Sequence, residues 1–252
     1  LIPERLLAGA AGLALLGCGG APSEGPRRLA VAAASSLREL LERTAVLFED
    51  ARPGTRIVYS FEASSVLARR IEAGAALDLF LSADRETLAR AGDRVVAATA
   101  VPFLGNRLAL VVRKDLARAL ESPADLARLR GRLALAGPAV PAGRYARAFL
   151  EEKGWLRELG PRIANAESVR AALALVESGA ADGAFVYETD ARLAKEARLA
   201  WVAAPGEGPE ILYFGAVLAG GEEALAREVL AFLRGPAFLS AARAMGFLPP
   251  PR

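Results

Sequence analysis

The chain contains no histidine. This removes the commonest general base near neutral pH and the commonest protein ligand of zinc and related metals. It contains one cysteine, Cys18, so no disulfide can close within it. It has no run of five or more like charges, and its formal net charge is only +3. Neither a nucleic-acid groove nor an anionic membrane surface is indicated by that balance. Positive charge is carried by arginine at all but three positions, Lys114, Lys153 and Lys195, which reflects compositional bias more than a basic function. The sequence patterns of zinc proteases, of the serine-hydrolase elbow and of phosphate-binding loops are missing. The three lysines lie away from the serine-bearing motifs described below, so a Ser-Lys dyad is not suggested. No repeat of fixed short period marks a solenoid.

What is present begins with a targeting pattern. Arg5 precedes an apolar run from Leu6 to Leu16, the length of a signal-peptide core and too short to span a bilayer. It ends Leu15-Leu16-Gly17-Cys18, which resembles a bacterial lipoprotein box. That resemblance implies residues 1–18 as a lipoprotein signal peptide, with Cys18 acylated and serving as the mature N-terminus. Residues 19–27, rich in Gly, Pro and Ser, read as a flexible tether.

The remainder is long enough, and apolar enough at 53% overall, for one or two α/β domains. Leu29–Ala34 is a continuous apolar run of the kind found in buried parallel strands. Ser35-Ser36 follows as a helix-capping pair, and Leu37, Leu40, Leu41, Leu47 and Phe48 fall on one helical face. Thr55–Phe61 reads as a strand, Ser64-Ser65 as capping residues, Val66–Ala73 as a helix, Leu77–Leu81 as a strand and Asp84–Ala91 as a helix. A second such unit follows. Strands are expected at Arg107–Val112, Arg132–Ala136 and Gly183–Tyr187, with helices at Ala142–Glu152, Val169–Ser178 and Asp190–Ala197. Ile211–Ala219 is again strand-like, and Glu222–Leu233 and Pro236–Met245 close the chain as helices. Alternation of this kind predicts parallel sheets with helices on their faces. Chain crossings are expected near Gly105 and near Pro205–Pro209.

Several of these helices start directly after a strand, at Ser35-Ser36, Ser64-Ser65, Ala142-Gly143 and Ser168-Val169. Helix N-termini carry free backbone N–H groups and partial positive charge, and they bind anions without lysine or arginine. On pattern alone each serine is as readily an ordinary cap.

The motifs occur in a telling order. Ala32-Ala33-Ala34-Ser35-Ser36-Leu37, then Phe61-Glu62-Ala63-Ser64-Ser65-Val66, then Ala76-Leu77-Asp78-Leu79-Phe80-Leu81-Ser82-Ala83 come first. Gly105-Asn106-Arg107-Leu108, Val140-Pro141-Ala142-Gly143, Glu167-Ser168-Val169-Arg170 and Val186-Tyr187-Glu188-Thr189-Asp190 follow. This set resembles the periplasmic molybdate-binding proteins of ABC importers, from about Leu29 to the C-terminus. The resemblance implies a two-lobed periplasmic-binding-protein fold, each lobe a mostly parallel sheet flanked by helices, with the ligand cleft between them. Lobe 1 would comprise residues 28–105 and 206–252, and lobe 2 residues 106–205. It implies capture of molybdate or tungstate by the hydroxyls of Ser36, Ser64 and Tyr187 and by backbone amides at Ala142 and Val169. Molybdenum would be held as the oxyanion, with no direct protein–metal bond, no cofactor and no enzymatic step. The partners implied are the permease subunits of an ABC importer and, through the lipid at Cys18 alone, a membrane. No nucleic acid is implied, and the protein is expected to be an exported monomer.

Two departures from the family pattern stand out. Ser35 is a serine where alanine is common, and so competes with Ser36 as donor. Glu62 occupies a position usually small and neutral, and is expected to face solvent. Asp78, Asp182 and Asp190 read as structural carboxylates, and Asn106 and Arg144 as rim residues outside the site. A set made only of donors suits a fully ionised oxyanion and disfavours phosphate, which keeps a proton near neutral pH. It does not separate molybdate from sulfate. The alternative readings are a binding protein for another tetrahedral oxyanion, and an enzyme or sensor on the same fold.

Overall fold

The computed structural model describes residues 26–118, 120–128 and 130–250. Segment 1–18 with Cys18, and residues 19–25 of the stretch read as a tether, lie outside the described residues. The chain opens with β1 (Arg27–Ala34), α1 (Arg38–Ala51), β2 (Thr55–Glu62), α2 (Ser64–Glu72), β3 (Leu79–Ser82), α3 (Arg85–Ala89) and β4 (Val101–Asn106). After Arg107 come β5 (Leu108–Arg113), β6 (Leu133–Ala136), α4 (Pro141–Glu152), α5 (Leu156–Leu159), β7 (Ile163–Ala166), α6 (Val169–Glu177), β8 (Gly183–Tyr187), α7 (Glu188–Ala191) and β9 (Ala197–Val202). The chain then returns to β10 (Ile211–Val217), α8 (Glu223–Phe232) and α9 (Pro236–Ala244).

These strands make two five-stranded sheets, ordered β2-β1-β3-β10-β4 and β7-β6-β8-β5-β9. In the first, β1 pairs in parallel with β2 and β3, and β10 runs antiparallel between β3 and β4. In the second, β6 pairs in parallel with β7 and β8, and β5 runs antiparallel between β8 and β9. The two lobes thus share one topology. The reversed strand of each is supplied by chain that has just left the other, at the β4–β5 and β9–β10 crossings.

The central strands form because their residues are apolar on both faces. Val31, Ala32 and Ala33 of β1 and Ala184, Phe185 and Val186 of β8 are all fully buried, as a strand covered by helices on both sides requires. The first helix is amphipathic: Leu40, Leu41, Thr44 and Phe48 face the core. Leu47 does not share that face, being half-exposed beside the exposed Val46; Thr44 holds the inner place and closes its hydroxyl onto the Leu40 carbonyl at 2.7 Å.

A helix does not run from Asp190 to Ala197. The helical turn stops at Ala191, because Glu177 at the end of α6 takes the next free amides. Its carboxylate accepts from Lys195 N–H at 2.6 Å and Glu196 N–H at 3.2 Å, turning the chain into β9. Strand β1 begins at Arg27, the last residue read as tether. Among the described residues no helix is long and apolar enough to cross a membrane.

Candidate functional site

Both parallel halves place helix starts at the carboxyl ends of their strands, where ligands bind in open α/β sheets. Ser36, Ser64, Ala142, Val169 and Tyr187 line one small chamber, together with Ala34, Ser35, Ala63, Ala83, Val140 and Pro141. The first two come from the β1–α1 and β2–α2 junctions, the other three from the starts of α4 and α6 and the end of β8. No charged side chain is among these lining residues. A larger depression is lined by the crossings, Gly105–Leu108 and Ala203–Leu212, with Leu248 and Pro249. It presents mostly apolar and backbone surface and has no convergence of helix starts.

Ser35-Ser36 and Ser64-Ser65, expected as caps, are not caps. The residues at the N-cap positions of the first 3-10 turn, of α2 and of α4 are Ala34, Ala63 and Val140, none of which makes a side-chain cap bond. Ser35, Ser36, Ser64 and Ser65 lie inside the first turns instead. The first-turn amides at these ends therefore have no capping side chain. At α6 the contrast is instructive. Ser168 does cap, accepting from Ala171 N–H at 3.1 Å, and Val169, the next residue, lines the chamber.

Each hydroxyl has a distinct environment. Ser64 Oγ accepts from Ala83 N–H at 3.0 Å, so its own proton is available elsewhere. Ser36 Oγ lies 2.9 Å from Tyr213 Oη. Ser35 is less buried than Ser36 and also lines the outer mouth of the cleft. Tyr187 is 1% exposed, yet its hydroxyl has no hydrogen-bond partner. A buried polar group left so carries a desolvation cost, and a ligand in the chamber would remove it. Burial, reinforced by Tyr213 nearby, pushes the Tyr187 hydroxyl well above its ordinary pKa. It therefore stays protonated and can donate.

The charged residues around the chamber are paired with one another. Arg170, next to Val169, donates to Glu39 on the opposite lobe at 3.0 Å and lies 2.5 Å from Asp190. Arg144, two residues beyond Ala142, pairs with Asp84 across the cleft and donates to Thr87 Oγ1 at 3.0 Å. These two clasps join the lips of the cleft on either side of the chamber. Arg144 is thus an interlobe contact, and it does not line the chamber. Glu62 is paired with Arg70 and lines the outer mouth only. Asp78 accepts from Ala30 N–H and Glu222 N–H at 2.6 and 3.0 Å. Asp182 accepts from Gly131 N–H at 2.8 Å and pairs with Arg113. They brace equivalent points, just before β3 and β8. Asn106 and Tyr213 bond directly behind Ser36; Tyr213 was not singled out by the sequence, where it is one aromatic in an apolar strand. Among the described residues no group of three or more acidic, cysteine or histidine side chains could hold a metal ion.

Two lobes of like topology, joined by two crossings and with a chamber lined from both, have the architecture of a solute-binding protein. The chain belongs to the bacterial extracellular solute-binding protein family, whose model matches residues 29–248. It is 36% identical over 230 residues to the molybdate-binding protein ModA of Escherichia coli K12, covering 87% of this chain and 88% of that one. Its fold is similar to that of the periplasmic molybdate-binding protein of Azotobacter vinelandii, with a TM-score of 0.78 at 22% identity, covering 88% of this chain and 100% of that one. It is also similar to that of the sulfate-binding protein SubI of Mycobacterium tuberculosis, with a TM-score of 0.74 at 18% identity over 88% and 87% of the two chains. At these identities the two structures speak to architecture alone.

Proposed function

We propose that this protein captures molybdate, and tungstate with it, and delivers the oxyanion to the permease subunits of an ABC importer without chemical change. The observation that carries the reading is the chamber itself: the hydroxyl residues Ser35, Ser36, Ser64 and Tyr187 and the helix-start residues Ala142 and Val169 from both lobes, no charged side chain, and one buried hydroxyl lacking a partner. Ser36, Ser64 and Tyr187 would donate through their side chains, and Ala142 and Val169 through backbone N–H. Fully ionised oxyanions only accept hydrogen bonds, and charge-assisted bonds to fixed dipoles are the strong kind. The 36% identity to a protein named for molybdate supports that anion over sulfate.

In this reading residues 28–105 with 206–252 and residues 106–205 are the two bodies that close. The protein works as an exported monomer at the outer face of a membrane, held by lipid on Cys18. Calorimetric titration with molybdate, tungstate, sulfate and phosphate tests the reading. Molybdate and tungstate should bind at least a hundredfold tighter than the other two, about 3 kcal/mol of discrimination. Sulfate or phosphate binding equally well would overturn the assignment.

A further inference from the structure

We propose that Asn106 and Tyr213 are positioning residues that fix Ser36 as an obligate donor, and so set the site against oxyanions that carry a proton. The inference rests on the chamber being an oxyanion site and adds how its selectivity is built. Four groups make a directed chain. Arg107 N–H donates to Asn106 Oδ1 at 2.9 Å, which fixes the orientation of the amide. The Asn106 amide nitrogen then donates to Tyr213 Oη at 3.2 Å and to Thr189 Oγ1 at 2.9 Å. Since Tyr213 Oη accepts from Asn106, its proton turns to its other neighbour, Ser36 Oγ, at 2.9 Å. Ser36 accepts that proton, and its own hydroxyl hydrogen is left for the chamber it lines.

The four side chains of this network are buried. Asn106 and Thr189 are 4% exposed, Ser36 3% and Tyr213 0%, so no water competes for these protons. Burial also holds the Tyr213 hydroxyl above its ordinary pKa, so it keeps its proton near neutral pH. Ser64 is primed in the same way by Ala83 N–H. With both donating inward, neither Ser36 nor Ser64 offers an acceptor for a ligand's proton. A serine free to rotate could supply one. Hydrogen phosphate needs such an acceptor; molybdate and sulfate do not.

The test is a double-variant cycle read by calorimetric titration with molybdate, sulfate and phosphate. Ser36→Ala should weaken molybdate binding about tenfold to a hundredfold, the loss of one hydrogen bond to a charged group. Tyr213→Phe should weaken it about threefold to tenfold, since Ser36 regains its other rotamers, and should narrow the preference for molybdate over phosphate. In a Ser36→Ala background Tyr213→Phe should cost nothing further; in a Ser64→Ala background it should cost its full amount. A merely structural tyrosine would cost the same in both backgrounds and leave the phosphate preference unmoved, and either result would overturn the proposal. If Tyr213→Phe lowers the ligand-free melting temperature too far to measure, Asn106→Ala carries the same cycle. Wild-type protein that binds none of the three anions would overturn the oxyanion reading itself; wild-type protein that binds molybdate with an additive cycle would overturn the relay alone.

Discussion

At the scale of single residues, Tyr187 separates a binding role from a packing role. A buried tyrosine in a core satisfies its hydroxyl, and removing that hydroxyl costs stability; here it is buried without a partner. Tyr187→Phe should therefore leave the ligand-free melting temperature unchanged or raised, while weakening oxyanion binding about tenfold to a hundredfold. A lower melting temperature with unchanged affinity would contradict this role. Asp190 makes a different prediction. Full burial raises its carboxyl from 3.8 to about 6, against the opposing pull of Arg170. The folded state thus holds the proton more tightly than the unfolded chain does. The stability this gives is fully present below about pH 4 and is lost as pH rises through about 6. Asp190→Asn mimics the protonated form, so the melting temperature of wild type minus variant should fall between pH 4 and pH 7. A difference that rises with pH would mean that the Arg170 pair outweighs burial. That Ser36, Ser64, Ala142, Val169 and Tyr187 would come together was legible in the sequence because ordered motifs carried them. Tyr213, and the place of Asn106 behind it rather than at the rim, were not, because their contacts with Ser36 and Thr189 join positions 83 to 177 apart in sequence. Such pairing leaves no local pattern.

At the scale of elements, the strand-to-helix junctions carry the site, and Gly143 shows how tightly one is built. A Cβ at this position would lie 2.2 Å from the carbonyl oxygens of both Ala136 and Gly137. Backbone carbonyls cannot yield as a flexible side chain can, so the start of α4 would have to lift away from β6. Gly143→Ala should cost about 1–3 kcal/mol in denaturant unfolding, and should also weaken oxyanion binding because the Ala142 amide moves with the helix. Unchanged binding would show that this amide is not a donor. The elements that the sequence failed to announce, β4, β7 and β9, are edge strands of their sheets. Edges are covered less and need no continuous apolar run. Pro102 interrupts β4, a residue tolerated at edges and excluded from central strands, and β7 is only four residues long with none fully buried. The interior strands and the long amphipathic helices were legible because burial on both faces, or on one, leaves a period in the sequence. The capping assignments of Ser35-Ser36 and Ser64-Ser65 failed for a related reason: Ser at a helix start looks the same whether its hydroxyl closes its own turn or faces a cleft.

At the scale of the whole molecule, donors from both lobes face one chamber, and the Arg170–Glu39 and Arg144–Asp84 clasps join the lips around it. A solute touched by both lobes favours the closed arrangement by its differential affinity for it, and closure in turn places the helix-start dipoles in a medium of lower dielectric than water. The clasps keep the arginines occupied with carboxylates, so the charge of the anion meets oriented neutral dipoles. The most direct measurement of this account is a crystal structure of the protein grown with molybdate, with the metal located by its anomalous scattering. The account predicts one molybdenum in the chamber, its oxygens within about 2.7–3.2 Å of the hydroxyls of Ser36, Ser64 and Tyr187 and of the amides of Ala142 and Val169. An empty chamber at saturating molybdate, or molybdenum bound only elsewhere on the surface, would contradict it.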